Sequence, residues 1–368
     1  FITGVSPVTM DDVTSGFNIG TNITNDSWFN DLVGFSENEL REMLEYYKEQ
    51  GVLQESIDEI VAMMKPNYDN YCFSEDTLEQ CMFNSDMALY FLKSFVLHHK
   101  KPKEIVDPNI RTDFNKLAYL IKLDHGLGEN FSVIKEIAEQ GEIITDIVTH
   151  FSALEMTDPS NFKSLLFYFG LLSIKGVDMV GRPILHVPNL VVREQLFNFL
   201  IQGYIKHDIF KIDMNKMSAL FENMAFRGDW KPLFDFIANA VREQSRIREY
   251  IEGEAHIKGF LLAYLGMYRY YQLYPEYELN KGFADFFFKP SLSVPVLPPF
   301  TYLLEVKYAK AGASEKEIRA LADEAREQLL RYSGDELVAE AKAKGELKLI
   351  TIVWRSWELV LLEEVTLS

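Results

Sequence analysis

Ser36 and Glu39 stand just ahead of a run in which Leu40, Met43, Leu44 and Tyr47 recur at helical spacing before Gly51. That pattern predicts an amphipathic helix with a capping box at its start and a glycine stop. The same period continues through 57–64, 87–97, 114–121 and 131–138, so this part of the chain reads as mainly helical. Ahead of it, residues 1–5 read as a strand, and residues 6–35, rich in Thr, Asn, Asp and Gly, as loop and short helix. Farther on, the pattern predicts a helix over 162–172, a short strand, a Gly and Arg-Pro turn at 181–183, a strand over 184–187 and a helix opening at Pro188. Helix, hairpin and helix suggest a winged-helix-like module. Residues 191–204 carry only Arg193 as a basic residue, which fits an interdomain brace better than a DNA-reading helix. Amphipathic helices over 214–224 and 232–241 complete the helical part.

The pattern changes near Tyr250. A helix runs to about Tyr271, followed by strands over 283–288 and 301–308, a charged helix from Ser314 to about Tyr332, and strands over 347–353 and 358–364. The order α-β-β-α-β-β predicts a mixed sheet flanked by helices. The fold class expected is therefore a multi-domain α+β chain, with mainly helical N-terminal and middle regions and a C-terminal α/β sheet domain. The expected division is 1–75, 76–245 and 246–368.

Composition alters this picture in three ways. The chain has 368 residues, 48% of them hydrophobic, which is enough for two or three cores. Its longest apolar stretches, 165–174 and 260–265, stop well short of the roughly 18 residues of a membrane span. Cys72 and Cys81 are too few for a disulfide framework or a zinc site, so a reduced, cytoplasmic setting is expected. The net charge of -18 opposes indiscriminate binding to phosphate backbones, but it is unevenly spread. Residues 246–368 hold 16 Lys+Arg against 19 Asp+Glu, whereas residues 1–245 hold 21 against 36. The chain opens on Phe1, which reads as a piece beginning inside a domain.

Candidate chemistry lies where acidic residues interrupt apolar strands. Asp285 stands within Gly282-Phe283-Ala284-Asp285-Phe286-Phe287-Phe288, and Glu305 and Lys307 within Tyr302-Leu303-Leu304-Glu305-Val306-Lys307-Tyr308. The two-residue period of a strand puts Glu305 and Lys307 on one face. If the two strands pair, Asp285 and Glu305 can hold one Mg²⁺ or Mn²⁺ ion, with Lys307 positioning or polarising water. An E-x-K on a strand is common by chance; its weight comes from the Asp on the preceding strand and the order of the elements.

These segments, with Glu278 to Asp285 nearly ungapped, resemble the PD-(D/E)XK nuclease superfamily. They are most similar to the restriction-endonuclease-like domain that follows an AAA-ATPase-like domain in a large group of bacterial proteins. The resemblance implies Mg²⁺-dependent hydrolysis of nucleic acid, with DNA as the first expectation and RNA not separable from it. It also implies a metal-facing glutamate on the preceding helix, for which Glu254, followed by Lys258, Gly259 and Phe260, is the candidate. Gln328 resembles the glutamine on the helix after the E-x-K strand. The rival expectation is a non-catalytic module for binding nucleic acid or protein that keeps the nuclease fold.

Residues 1–7 and 15–18, together with 34–37 and 67–73, resemble the end of the ATPase-like domain in the same group, with Thr3 as the candidate sensor residue. No G-x-x-x-x-G-K-[ST] occurs in the chain, so no ATP hydrolysis is expected from it. The resemblance implies a further N-terminal portion that handles ATP and acts as a partner; an oligomer is left open. Other features have ordinary readings. His98 to Lys101 fit a solvated helix end, His256 points away from Glu254, and the charges of 315–331 fit an exposed helix face. Tyr268, Tyr270, Tyr271, Tyr274 and Tyr277 read as packing at a helix-to-strand junction, with base stacking as the alternative.

Overall fold

The computed structural model describes residues 8–9, 23–98, 102, 129–149, 151–152, 155, 158–206, 213–243, 253–266, 268, 270–279, 282–291, 294, 296–343 and 345–366. The expected strand at 1–5, Thr3 and the expected helix at 114–121 lie outside these residues. Two compact units divide the chain, Phe1–Leu196 and Phe197–Ser368.

In the first unit, β1 (Val8–Thr9) pairs in parallel with β3 (Phe151–Ser152). Helices α1 (Glu37–Glu49), α2 (Ile57–Tyr68) and α3 (Ser85–His98) bury Leu40, Leu44, Ile60, Met64 and Phe91 in one cluster. The capping box opens α1: the backbone N–H of Glu39 donates to Ser36 Oγ, and that of Ser36 donates to the Glu39 carboxylate at 2.8 Å. Helices α4 (Glu129–Gln140) and α5 (Pro159–Tyr168) precede a hairpin of β4 (Ser173–Val177) and β5 (Pro183–His186), followed by α6 (Leu190–Lys206). A short strand that periodicity missed, β2 (Glu142–Ile144), pairs with β5 to make a three-stranded sheet in the order β2-β5-β4. At three residues it is too short to show an alternating pattern.

His186 closes β5 opposite Glu142 and Ser173. Burial, with Lys175 adding to it and Glu142 opposing, pushes its imidazole from the ordinary 6.5 down to about 4. A group whose folded pKa is depressed contributes stability that is fully present above its unfolded pKa and is lost as pH falls through the window to the folded one. The melting temperature should therefore fall between pH 6.5 and pH 4. His186→Gln should flatten the part of that decline worth about 1 kcal/mol, discounted because the ring is only half-buried. Thermal melts of both proteins across this pH range check the expectation.

In the second unit, α7 (Met214–Arg227) and α8 (Lys231–Glu243) lead to α9 (Glu254–Leu265), then β6 (Tyr271–Leu279), β7 (Gly282–Pro290) and β8 (Phe300–Ala309). Next come α10 (Glu315–Tyr332), α11 (Glu336–Ala343), β9 (Glu346–Arg355) and β10 (Glu358–Val365). The five strands form one mixed sheet in the order β10-β9-β8-β7-β6, in which only the β8–β9 pair is parallel. The sequence pattern predicts α-β-β-α-β-β, and the structure adds a strand and a short helix. Tyr271, Tyr274 and Tyr277 of the aromatic run read as a junction lie in β6, and α9 ends at Leu265 rather than near Tyr271. The reason for the misreading is local. Pro275 pairs with Phe286 and Tyr277 with Ala284 in an unbroken register, but the position between them, Glu276 opposite Asp285, is unpaired, and the φ of 43° at Glu276 lies in the left-handed region. That local kink breaks the alternation expected of a strand.

Leu303, Phe287 and Leu349 line one sheet face and pack against Leu329 and Tyr332 of α10. On the other face Tyr302 is fully buried, and its hydroxyl donates to the Met224 carbonyl at 2.6 Å. No described helix is long and apolar enough to cross a membrane.

Candidate active site

The β7–β8 ladder runs from Phe288/Tyr302 through Phe287/Leu303 to Phe286/Leu304 and stops there. Asp285, the next residue of β7, therefore has no backbone partner on β8. Its carboxylate takes over that function instead, accepting from the Val306 N–H at Oδ2, 2.7 Å away. The strands thus separate just where both turn acidic. Glu305 is 1% exposed and Asp285 5%, burial that carboxylates tolerate only with compensation.

Compensation is incomplete at Glu305. Lys307 Nζ lies 3.8 Å from its Oε2 and 3.2 Å from Glu324 Oε1 on α10. The other oxygen, Oε1, is buried without a hydrogen-bond partner among the described residues. Burial first, and then the charge of Asp285, push the Glu305 carboxyl well above the ordinary carboxylate range, with Lys307 and Lys258 opposing. Thr351 Oγ1 and Gln328 Oε1 are likewise buried without partners among the described residues. Thr351 is the β9 residue in register with Glu305, so its side chain lies on the same sheet face. Gln328 lies on α10, one turn beyond Glu324. Glu305 Oε1 and Thr351 Oγ1 are thus neighbouring oxygen atoms with unused lone pairs.

The remaining charge sits on α9. Lys258 Nζ contacts Asp285 Oδ1 and lies 3.0 Å from Glu276 Oε1 and 3.1 Å from Glu254 Oε1. Burial alone would lower the pKa of this ammonium, but the charge and hydrogen bonds of Asp285 and Glu276 outweigh it and raise the pKa, so Lys258 is cationic. Of the residues singled out from sequence, Asp285, Glu305 and Lys307 therefore converge at the strand fork. Gln328 lies on α10, the helix whose Glu324 contacts Lys307, and Glu254 reaches Asp285 through Lys258. Among the described residues no three His, Cys, Asp or Glu side chains converge as a metal cage. A pair of hard carboxylate oxygens with a vacant buried lone pair still suits Mg²⁺, which binds through one or two carboxylates and keeps several waters. The residues present fit such an ion.

Sequence reasoning assigned no role to Lys258, Glu276 or Thr351. Lys258 and Thr351 do carry a signal, each being a polar residue inside an apolar run, Ile257 to Leu262 and Leu349 to Trp354. Glu276 carries none, because its place opposite Asp285 depends on how β6 pairs with β7.

Residues 252–364 match the family model of the PD-(D/E)XK nuclease superfamily. The C-terminal part of the chain carries a domain of that superfamily, whose nucleases generally use Mg²⁺ or Mn²⁺. Comparison of the chain with curated proteins finds no match.

Proposed function

We propose that the second unit hydrolyses phosphodiester bonds of nucleic acid, DNA in the first instance, with Asp285 and Glu305 holding a divalent cation. The observation that carries this reading is the fork between β7 and β8, where two buried carboxylates and Lys307 meet beside an unpartnered Glu305 oxygen. A cation bound there would supply charge neutralisation for the phosphate and activation of a water molecule. Lys307, with its ammonium at the mouth of the pair, positions that water and stabilises developing negative charge. Gln328 orients Lys307 or the phosphate from α10, and Glu254 beside Lys258 acts as an auxiliary metal ligand or base.

A second reading has its own observation. Asp285 already has an ammonium partner in Lys258, and Lys307 pairs with Glu305 and Glu324, which suits a nuclease fold used for binding without cleavage. The acidic, mainly helical remainder is taken as the regulatory part, the end of an AAA-ATPase-like module whose ATP-handling portion is a partner of this chain. That assignment rests on residue resemblance alone.

Cleavage of labelled single- and double-stranded DNA and RNA in Mg²⁺ or Mn²⁺ tests the proposal. Activity that disappears in both Asp285→Ala and Lys307→Ala is the expected result, and the substrate cleaved identifies the class. Binding without cleavage under either metal would favour the second reading.

A further inference from the structure

Lys258 is one ammonium shared by three carboxylates from three elements: Glu254 on its own helix, Glu276 on β6 and Asp285 on β7. The nuclease assignment does not use it, and the E-x-K motif supplies a separate lysine. Its place follows from two local features. Glu254 and Lys258 are four residues apart on α9, so they share a helix face. Glu276 stands opposite Asp285 in the register of β6 and β7, at a φ of 43°, where the ladder lacks that one pair. Opposite residues of antiparallel strands are neighbours, and this register brings a third acid to the same ammonium.

Asp285 is thereby engaged at both oxygens, Oδ1 by Lys258 and Oδ2 by the Val306 N–H. The facing Glu305 has an oxygen buried without a partner among the described residues. A divalent ion shared by these two acids would stand close to the Lys258 ammonium, and two cations at that range in a buried site repel strongly. Lys258 has somewhere to go, because Glu254 and Glu276 remain within 3.1 Å as alternative acceptors.

We infer that Lys258 is the resident cation of this cluster: it neutralises Asp285 in the metal-free protein and withdraws onto Glu254 and Glu276 when a divalent ion binds, setting the ion concentration at which the site fills. Lys258 is thus a positioning residue acting through Asp285. The inference rests on Asp285 and Glu305 being the metal ligands.

Calorimetric titration of the whole chain with Mn²⁺ alone tests it. Lys258→Gln, which keeps a hydrogen-bond donor but removes the charge, should lower the Mn²⁺ dissociation constant on the order of tenfold or more. Its metal-free melting temperature should fall, and saturating Mn²⁺ should raise it further than in the parent. Lys258→Arg should bind Mn²⁺ about as the parent does. A purely structural lysine would give equal or weaker binding in Lys258→Gln, and that result overturns the inference. Should Lys258→Gln not fold, the unaltered protein still decides: the Lys258 ammonium resonance should shift in step with Mg²⁺ saturation, and one that stays put overturns the inference. Saturable binding that is lost in Asp285→Asn but unchanged in Lys258→Gln rejects the role of Lys258 and leaves the metal site standing. No saturable binding in any of these proteins rejects both.

Discussion

Lys307→Ala lowers the single-turnover cleavage rate by about a hundredfold to ten-thousandfold at saturating metal, while the protein melts close to the parent temperature; this is the outcome expected from the geometry. The ammonium sits 3.8 Å from Glu305 and 3.2 Å from Glu324, whose side chain is 57% exposed. The pair with so exposed a partner contributes at most about 1 kcal/mol, and at saturating metal a bound cation would keep the buried Glu305 compensated, so the loss of the ammonium is expected to be a small structural event. On the proposed role the chemical loss is large, because a point charge beside the carboxylate pair would stabilise charge that develops only during reaction. Lys307→Arg should recover little, since the planar guanidinium distributes its donors differently from a compact ammonium. Rapid-quench kinetics and thermal melts on the same preparations separate the two effects. A stability loss that matches the activity loss would make Lys307 a structural residue.

Phe287→Ala is expected to destabilise the second unit by about 3–5 kcal/mol, the range for removing a buried aromatic ring from a well-packed core. Phe287 is 1% exposed, stacks near Tyr277 at 5.2 Å and Tyr274 at 6.4 Å between ring centroids, and shares a cluster with Leu303, Leu329 and Tyr332. It also lies two residues from Asp285 on the same face of β7. The cavity would therefore open beneath the helix that carries Gln328. Urea unfolding should show a lower midpoint with an unchanged slope, as expected for lost stability without a change in the surface exposed. A midpoint within about 1 kcal/mol of the parent would mean that this face is loosely packed.

The strands carrying Asp285, Glu305 and Lys307 were legible because charged residues break apolar alternation, and a strand period of two says which of them share a face. The capped helices α1 and α10 were legible from Ser36 with Glu39 and from the charge-rich run opening at Ser314. What escaped was set by contacts between elements. Tyr271, Tyr274 and Tyr277 are spaced by three, imitating a helix face, and the left-handed backbone at Glu276, where the β6–β7 ladder lacks one pair, breaks the two-residue alternation that would mark a strand. The i to i+4 spacing of Glu254 and Lys258 puts them on one helix face, and nothing in that spacing reveals that Lys258 also meets Asp285 and Glu276. The parallel register that sets Thr351 beside Glu305 depends on the crossover through α10 and α11, a long-range property that no local pattern encodes.

The proposed reaction requires the strand fork to hold a divalent cation between Asp285 and Glu305. Crystals soaked in Mn²⁺ and measured at the manganese absorption edge show whether it does. An anomalous peak within coordinating distance of both carboxylates, absent from crystals of Asp285→Asn, is the expected result. A fork without manganese at millimolar Mn²⁺, with Lys258 still against Asp285, would rule the cation site out.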